Sequence, residues 1–193
     1  MRIVAGEFKG HPIAAPKGRS TRPTADRVRE GLFSALASRL GQDLGEAAVL
    51  DAFAGSGSLG LEALSRGASR ATFVEKSADA ARALRANVES LRVAERSTVI
   101  DADVRRISKR GMLPGAPFSL LFLDPPYRIE QSEVRGLVEA LSRTGSLAHG
   151  TVVVWEHDAG HDLGWPDSIE PLFDLRYGST KVDVGAYARG DAT

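Results

Sequence analysis

The stretch Asp51-Ala52-Phe53-Ala54-Gly55-Ser56-Gly57-Ser58-Leu59-Gly60 constrains this 193-residue chain more than any other. An apolar strand, Ala48–Phe53, runs into a loop whose glycines Gly55, Gly57 and Gly60 follow the G-x-G-x-x-G spacing. That spacing suits a tight strand-to-helix turn whose backbone lies close to a nucleotide-containing cofactor. The chain around it alternates. Strands are predicted over 71–75, 97–100, 118–123 and 151–156, and helices over 59–65, from a Ser77 cap to 91, 104–109 and 131–141. Alternating β and α units imply a mostly parallel sheet with helices on both faces. The end breaks the alternation: Ile169–Arg176 and Lys181–Tyr187 flank Gly178 with no helix between them. The expectation is therefore an α/β, Rossmann-like fold with a C-terminal antiparallel hairpin.

The residues around the loop bear on which cofactor it serves. Glu75 closes the second strand 20 residues after Gly55, where an acid accepts hydrogen bonds from ribose hydroxyls. Asp51 stands four residues ahead of Gly55, at the end of the first strand. A carboxylate there would repel the pyrophosphate that NAD sets on the following helix N-terminus. It would attract a cofactor with a cationic group, which favours S-adenosylmethionine, a carrier of an ammonium and a sulfonium with no phosphate. An NAD-linked oxidoreductase is the competing reading.

The fourth strand, Phe118–Leu123, ends in Asp124-Pro125-Pro126-Tyr127. Ligands of open α/β sheets bind beyond the strands' carboxyl ends, where the strand order reverses, so Asp124 is expected to face the crevice of the glycine loop. The two prolines stiffen the chain and remove two N–H donors. Carbonyls at Asp124 and Pro125 are then left as acceptors, and Tyr127 supplies a ring to lie on a planar ligand. Acceptors beside an aromatic plate suit the exocyclic amine of a nucleobase. Asp-Pro-Pro-Tyr does not choose the base, so an adenine-N6 methyltransferase acting on DNA or RNA stays open.

Net charge is zero, with 25 Lys+Arg and 25 Asp+Glu, but the sum hides a division. Residues 1–40 hold eight basic and three acidic side chains, a net of +5, which leaves 17 basic and 22 acidic ones, −5, in the rest. A basic head on an acidic body points to a polyanionic partner for the head. Lys9, Lys17, Arg19 and Arg27 are its candidate phosphate contacts. The head itself reads as a hairpin, Arg2–Gly6 with His11–Ala15, followed by a helix that Thr24 caps and whose apolar face is Val28, Leu32, Leu36 and Leu40. The division falls into a basic N-terminal extension, residues 1–23, and a catalytic domain, residues 24–193. The absence of cysteine excludes disulfides, cysteine zinc sites and a cysteine nucleophile. Four scattered histidines give no expectation of a metal. No apolar run reaches the ~18 residues of a membrane span, and residues 1–7 lack the apolar core of a signal peptide, so a cytoplasmic protein is expected.

Taken together, these stretches resemble a known family. They are Met1–Gly10, Thr21–Glu30, Asp51–Gly57, Leu59–Ala68, Phe73–Lys76, Asp124–Tyr127, Glu156-His157 and Arg176–Thr180. The chain resembles the class I S-adenosylmethionine-dependent methyltransferases. Within them it is most similar to the bacterial small-subunit ribosomal RNA (guanine-N2)-methyltransferases of the D family, whose pattern it leaves only at Ala52. The resemblance implies a seven-stranded sheet and methylation of N2 of a guanosine in 16S rRNA. The substrate implied is an assembled or late-assembling small subunit, and the protein is expected to act as a monomer. By the same resemblance Asp51, Gly55 and Gly57 hold the methionine end, Phe53 joins the pocket, and Glu75 takes the ribose. Asp103 lies near the adenine, and Arg22 and Thr24 close over the methionine carboxylate. Asp124, Pro125 and Tyr127 handle the target base. Glu156-His157 reads either as a contact to that nucleotide or as a structural pair. A non-catalytic assembly factor that retains the pocket is the reading from outside the enzymes.

Overall fold

The computed structural model describes residues 1–15, 23–41, 44–126, 128–160 and 164–188. Seven strands form one sheet: β1 Ala48–Asp51, β2 Arg70–Glu75, β3 Ser97–Asp101, β4 Phe118–Leu123, β5 Leu147–Asp158, β6 Ile169–Tyr177 and β7 Thr180–Tyr187. Their order is β3-β2-β1-β4-β5-β7-β6. The first five run parallel, and β7 lies antiparallel between β5 and β6. This is the expected Rossmann-like α/β architecture. The order reverses between β1 and β4, which opens a crevice beyond their carboxyl ends.

Among the described residues, five α-helices cover the two faces. Helices α1 (Pro23–Leu40), α2 (Ser58–Ser65) and α3 (Ala78–Ser90) lie on one, and α4 (Val104–Ile107) and α5 (Gln131–Arg143) on the other. The strand period of two sorts the core: Val49, Phe73, Leu120, Phe122, Val152 and Val154 pack toward α1–α3, while Leu50, Val74, Leu121, Leu123, Val153 and Trp155 pack toward α4 and α5. Val28, Leu32 and Leu36 of α1 are buried as the four-residue spacing predicted, and Phe33 joins them.

The head forms the expected hairpin only in short form, with the Ile3 N–H on the His11 carbonyl and the Ile13 N–H on the Met1 carbonyl, each at 2.9 Å. Arg2 and Pro12 form a single antiparallel bridge, where two strands were predicted. The reason lies in α2, because the N–H groups of Val4 and Ala5 donate to the Glu62 carboxylate at 2.8 and 3.0 Å, away from a partner strand. Glu62 is fully buried and is also met by Arg66 at 2.8 Å and Arg29 at 3.4 Å. Ser65 accepts from the Phe8 N–H and donates to the Ala5 carbonyl. Asn87 of α3 exchanges hydrogen bonds with both backbone groups of Ala14 and donates to the Ser56 carbonyl at 2.9 Å. The head is thus fastened to α2, to α3 and to the glycine loop. Helix α1 starts at Pro23, so Thr24 lies inside the first turn and does not precede it; proline, with fixed φ and no N–H, suits that first position. A Cβ on Gly31 of α1 would collide with the Tyr177 hydroxyl at the end of β6.

Candidate functional site

The glycine loop is built as its spacing requires. Gly55 and Gly57 have φ of 56° and 85°, the left-handed region that side chains rarely adopt. A Cβ on Gly57 would strike Leu84, and one on Gly60 would strike Phe73, so these two glycines let α2 sit directly on the sheet and on α3. Gly55 is different: the space where its Cβ would stand is open, which leaves backbone accessible to a ligand.

Two carboxylates hold the loop. Asp51, only 2% exposed, accepts the Gly60 N–H at 3.0 Å. Glu75 accepts the Gly55 N–H at 2.8 Å and the Ser77 N–H at 2.6 Å. Ser77 therefore serves α3 through its backbone, and its side chain makes no capping bond. Phe53 is partly buried against the core on the α4–α5 face.

Strand pairing brings more acids to the same place. Residues 49 and 51 share a face of β1, as do 73 and 75 of β2, 152, 154 and 156 of β5, and, one step past β4, 122 and 124. Glu75, Asp51, Asp124 and Glu156 consequently stand on the α1–α3 face at the carboxyl ends of four adjacent parallel strands. Their electrostatics follow. Burial pushes the Asp51 carboxyl up to about 7, helped by the charges of Asp124 and Glu75 and opposed by the Gly60 N–H. Burial also pushes Glu156 up to about 8, again with help from Asp124. Burial is the larger cause in both, and the neighbouring carboxylates add to it.

Other expected site residues are placed otherwise. Asp103 caps α4 by accepting the Arg105 N–H at 3.1 Å, and its carboxylate is clasped by the Arg105 guanidinium and by Lys76 at 3.2 Å. Arg105 above all holds it well below the usual carboxylate range. Its oxygens are thus already taken up by protein donors. The pair Glu156-His157 is split by the strand period. His157 points to the other face, where Nε2 meets Asp183 at 2.6 Å, Nδ1 meets the Asp158 carbonyl at 2.9 Å, and the ring stands edge-on to Trp155. Asp124 is exposed, and Pro125 is half-buried. Lys9 and Arg27 are exposed. Lys17, Arg19, Arg22 and Tyr127 lie outside the described residues, as does the side chain of Thr24.

Two groups of residues were not legible beforehand. The Glu62–Arg29–Arg66 cluster left a trace, an acid inside the apolar run Leu59–Leu64 that had to find partners. Asn87 left none. Among the described residues, no helix is long and apolar enough to cross a membrane, and no group of three His, Cys, Asp or Glu is placed to hold a metal ion.

The arrangement can hold a cationic ligand group at Asp51, hydroxyls at Glu75, and a hydrogen-bond donor at Asp124. Comparison with known proteins bears on the chain as a whole. A family model described as "Conserved hypothetical protein 95" matches residues 1–186. Ribosomal RNA small subunit methyltransferase D of Escherichia coli strain K12 is 35% identical over 84% of this chain and 77% of its own length. YlbH of Bacillus subtilis strain 168, provisionally named an rRNA methyltransferase, is 33% identical over 95% of this chain and 97% of its own. The solved structure of YhhF from Escherichia coli, provisionally named a methyltransferase, superposes with a TM-score of 0.82 at 27% identity and covers 98% of each chain.

Proposed function

The chain belongs to the conserved hypothetical protein 95 family, together with ribosomal RNA small subunit methyltransferase D, and on that premise we propose that it transfers a methyl group from S-adenosylmethionine to N2 of one guanosine in 16S rRNA. One observation carries the reading: the glycine loop and Asp124-Pro125 meet in one crevice, joined by a row of acids. The donor set fits this cofactor. Among the described residues Asp51 has one N–H partner and two acidic neighbours, so it favours an ammonium and disfavours a pyrophosphate. The open space beside Gly55 admits close backbone approach, and Glu75 keeps acceptor capacity for ribose hydroxyls.

When bound, S-adenosylmethionine supplies an electrophilic methyl group on a sulfonium. Asp51, Gly55 and Gly57 hold its methionine end, with Arg22 and Thr24 closing over the carboxylate. Phe53 and Asp103 wall the adenine end, Asp103 as a fixed part of the wall because Arg105 occupies its oxygens. Asp124 and the Pro125 carbonyl accept the two N2–H bonds of the target base, and Tyr127 lies on its ring. An exocyclic amine is a poor nucleophile because its lone pair is delocalised into the ring. Two acceptors pull the nitrogen toward tetrahedral geometry and aim the lone pair at the methyl carbon, so the gain is orientation and electrostatics. The N–C bond forms as the C–S bond breaks, and the displaced N2 proton leaves to Asp124 or to water.

Lys9, Lys17, Arg19 and Arg27 grip RNA phosphates, and residues 1–23 are the RNA-binding extension of a monomer that works in the cytoplasm on an assembled or late-assembling small subunit. The target must leave its stack to reach the crevice, so a loop or bulge nucleotide suits it. The test uses tritiated cofactor and small subunits from a strain lacking the enzyme, followed by nucleoside analysis. N2-methylguanosine at one position is expected. N6-methyladenosine as the only product overturns the choice of base, and subunit binding without methylation would turn the protein into an assembly factor.

A further inference from the structure

Three members of the acidic row have roles in the proposed reaction, and the fourth does not. Glu156 stands beside Asp124 because β4 and β5 pair Leu123 with Trp155, which sets the next residues of the two strands about 4.8 Å apart. Opposite it on β7 is the apolar Val182. Among the described residues its half-buried carboxyl has no hydrogen-bond partner, whereas His157, its neighbour in sequence, has two on the opposite face. A carboxyl with no hydrogen-bond partner among the described residues, beside the group that holds the reacting amine, is placed to touch whatever that amine is attached to.

We propose that Glu156 selects guanine, its carboxyl pairing with the N1–H and O6 edge of a base whose N2 is held at Asp124. The inference rests on the proposed guanine-N2 reading and adds the residue that reads the base. With the amine anchored at Asp124, the next two positions along the base edge differ between bases. Guanine offers a donor, N1–H, then an acceptor, O6. Adenine offers an acceptor, N1, then a C–H. Cytosine offers two acceptors. A neutral carboxylic acid carries one acceptor and one donor, so only guanine satisfies both of its oxygens. Burial and the Asp124 charge favour that neutral form at physiological pH. A base mismatched at such a pair leaves polar groups unpaired in a partly desolvated site.

The experiment compares wild type, Glu156→Ala and Glu156→Gln on small subunits at saturating S-adenosylmethionine, with calorimetric cofactor affinity and nucleoside analysis for each. Glu156→Ala is expected to lose roughly 10- to 100-fold in kcat/KM, the worth of a bidentate base contact, while the cofactor Kd moves less than about 2-fold. Glu156→Gln, whose amide offers the same acceptor and donor, recovers most of that loss. Full activity in the alanine variant overturns the contact. A glutamine variant as impaired as alanine overturns the neutral pairing and gives Glu156 an ionisable role. If wild type yields N6-methyladenosine, the guanine reading itself falls, and this inference with it.

Discussion

Asp51 and Glu62 are both buried carboxylates bonded around the same short helix, and the chain serves them in opposite ways. Glu62 receives two backbone N–H groups and lies within 3.4 Å of two guanidinium nitrogens, so its charge is answered inside the protein. Asp51 has the Gly60 N–H and, for company, Asp124 and Glu75. Glu62 fastens the head to α2 and keeps no free capacity. Asp51 sits at the mouth of the crevice with its demand for a cation unmet. A fold can carry a buried acid for structure or for a ligand, and the number of donors it supplies tells the two apart.

The widest difference should come from removing each acid in turn. Glu62→Ala would take the acceptor from the Val4 and Ala5 N–H groups and from Arg66, leave the 3% exposed Arg29 with only Asp26 and the Arg2 carbonyl, and should cost about 3–5 kcal/mol, a fall of roughly 10 °C or more in Tm by thermal unfolding. If Glu62→Ala were as stable as wild type, the contrast between the two acids would collapse. Asp124→Ala should lower methyl transfer by about 10²–10³-fold and leave calorimetric cofactor affinity nearly intact. Asp51→Asn should weaken cofactor binding about 10- to 100-fold at pH 8, a loss comparable to that of a charged hydrogen bond, without lowering Tm.

Asp51 also answers to pH. The folded pKa of Asp51 lies above its unfolded value of 3.8, at about 7, so the folded state keeps a proton that the unfolded state releases between these limits. Its contribution to stability therefore falls as pH rises from about 4 to 7, and the full cost is present above 7. Tm of Asp51→Asn relative to wild type should accordingly rise from pH 5 to pH 8. Cofactor affinity of the wild type should run the other way and weaken as pH drops below about 7, because protonated Asp51 no longer attracts a cation. Calorimetry in buffers of different ionisation enthalpy should detect proton release on binding. The smallest effect belongs to the surface: the pair Lys9→Ala and Arg27→Ala should raise subunit KM a few-fold and lower the salt slope by about 1 per lost phosphate contact. Deleting the head is a poorer experiment than it looks from the sequence, because it also strips Glu62 and Asn87 of their partners.

Strands, helices and the glycine loop were readable because they depend on local period and on glycine at fixed offsets. Phe118–Leu123 was read to the residue, and Ser97–Ile100 to within one. The acidic row was not readable as a row. Its four members lie at positions 51, 75, 124 and 156, and only the order β2-β1-β4-β5 makes them neighbours. The same holds for Arg29 and Glu62, which lie on different helices. Asp103 shows a subtler gap: its place after β3 was anticipated, but Arg105, two residues on, captures the carboxylate. A motif fixes where an acid stands, and its neighbours decide what remains for it to bind.

The sheet order has a consequence for how the molecule is made. Strand β7 leaves a translating ribosome after β5 and β6, yet it is the one that separates them. Until it emerges, β5 is a raw edge and β6 has no partner strand, so two long strands wait on residues 180–187. The wait reaches the head as well, because Tyr177, which fills the space above Gly31, is held in register by Thr180. A chain cut before Thr180 would present β5 as an open sheet edge and leave β6 without a partner strand.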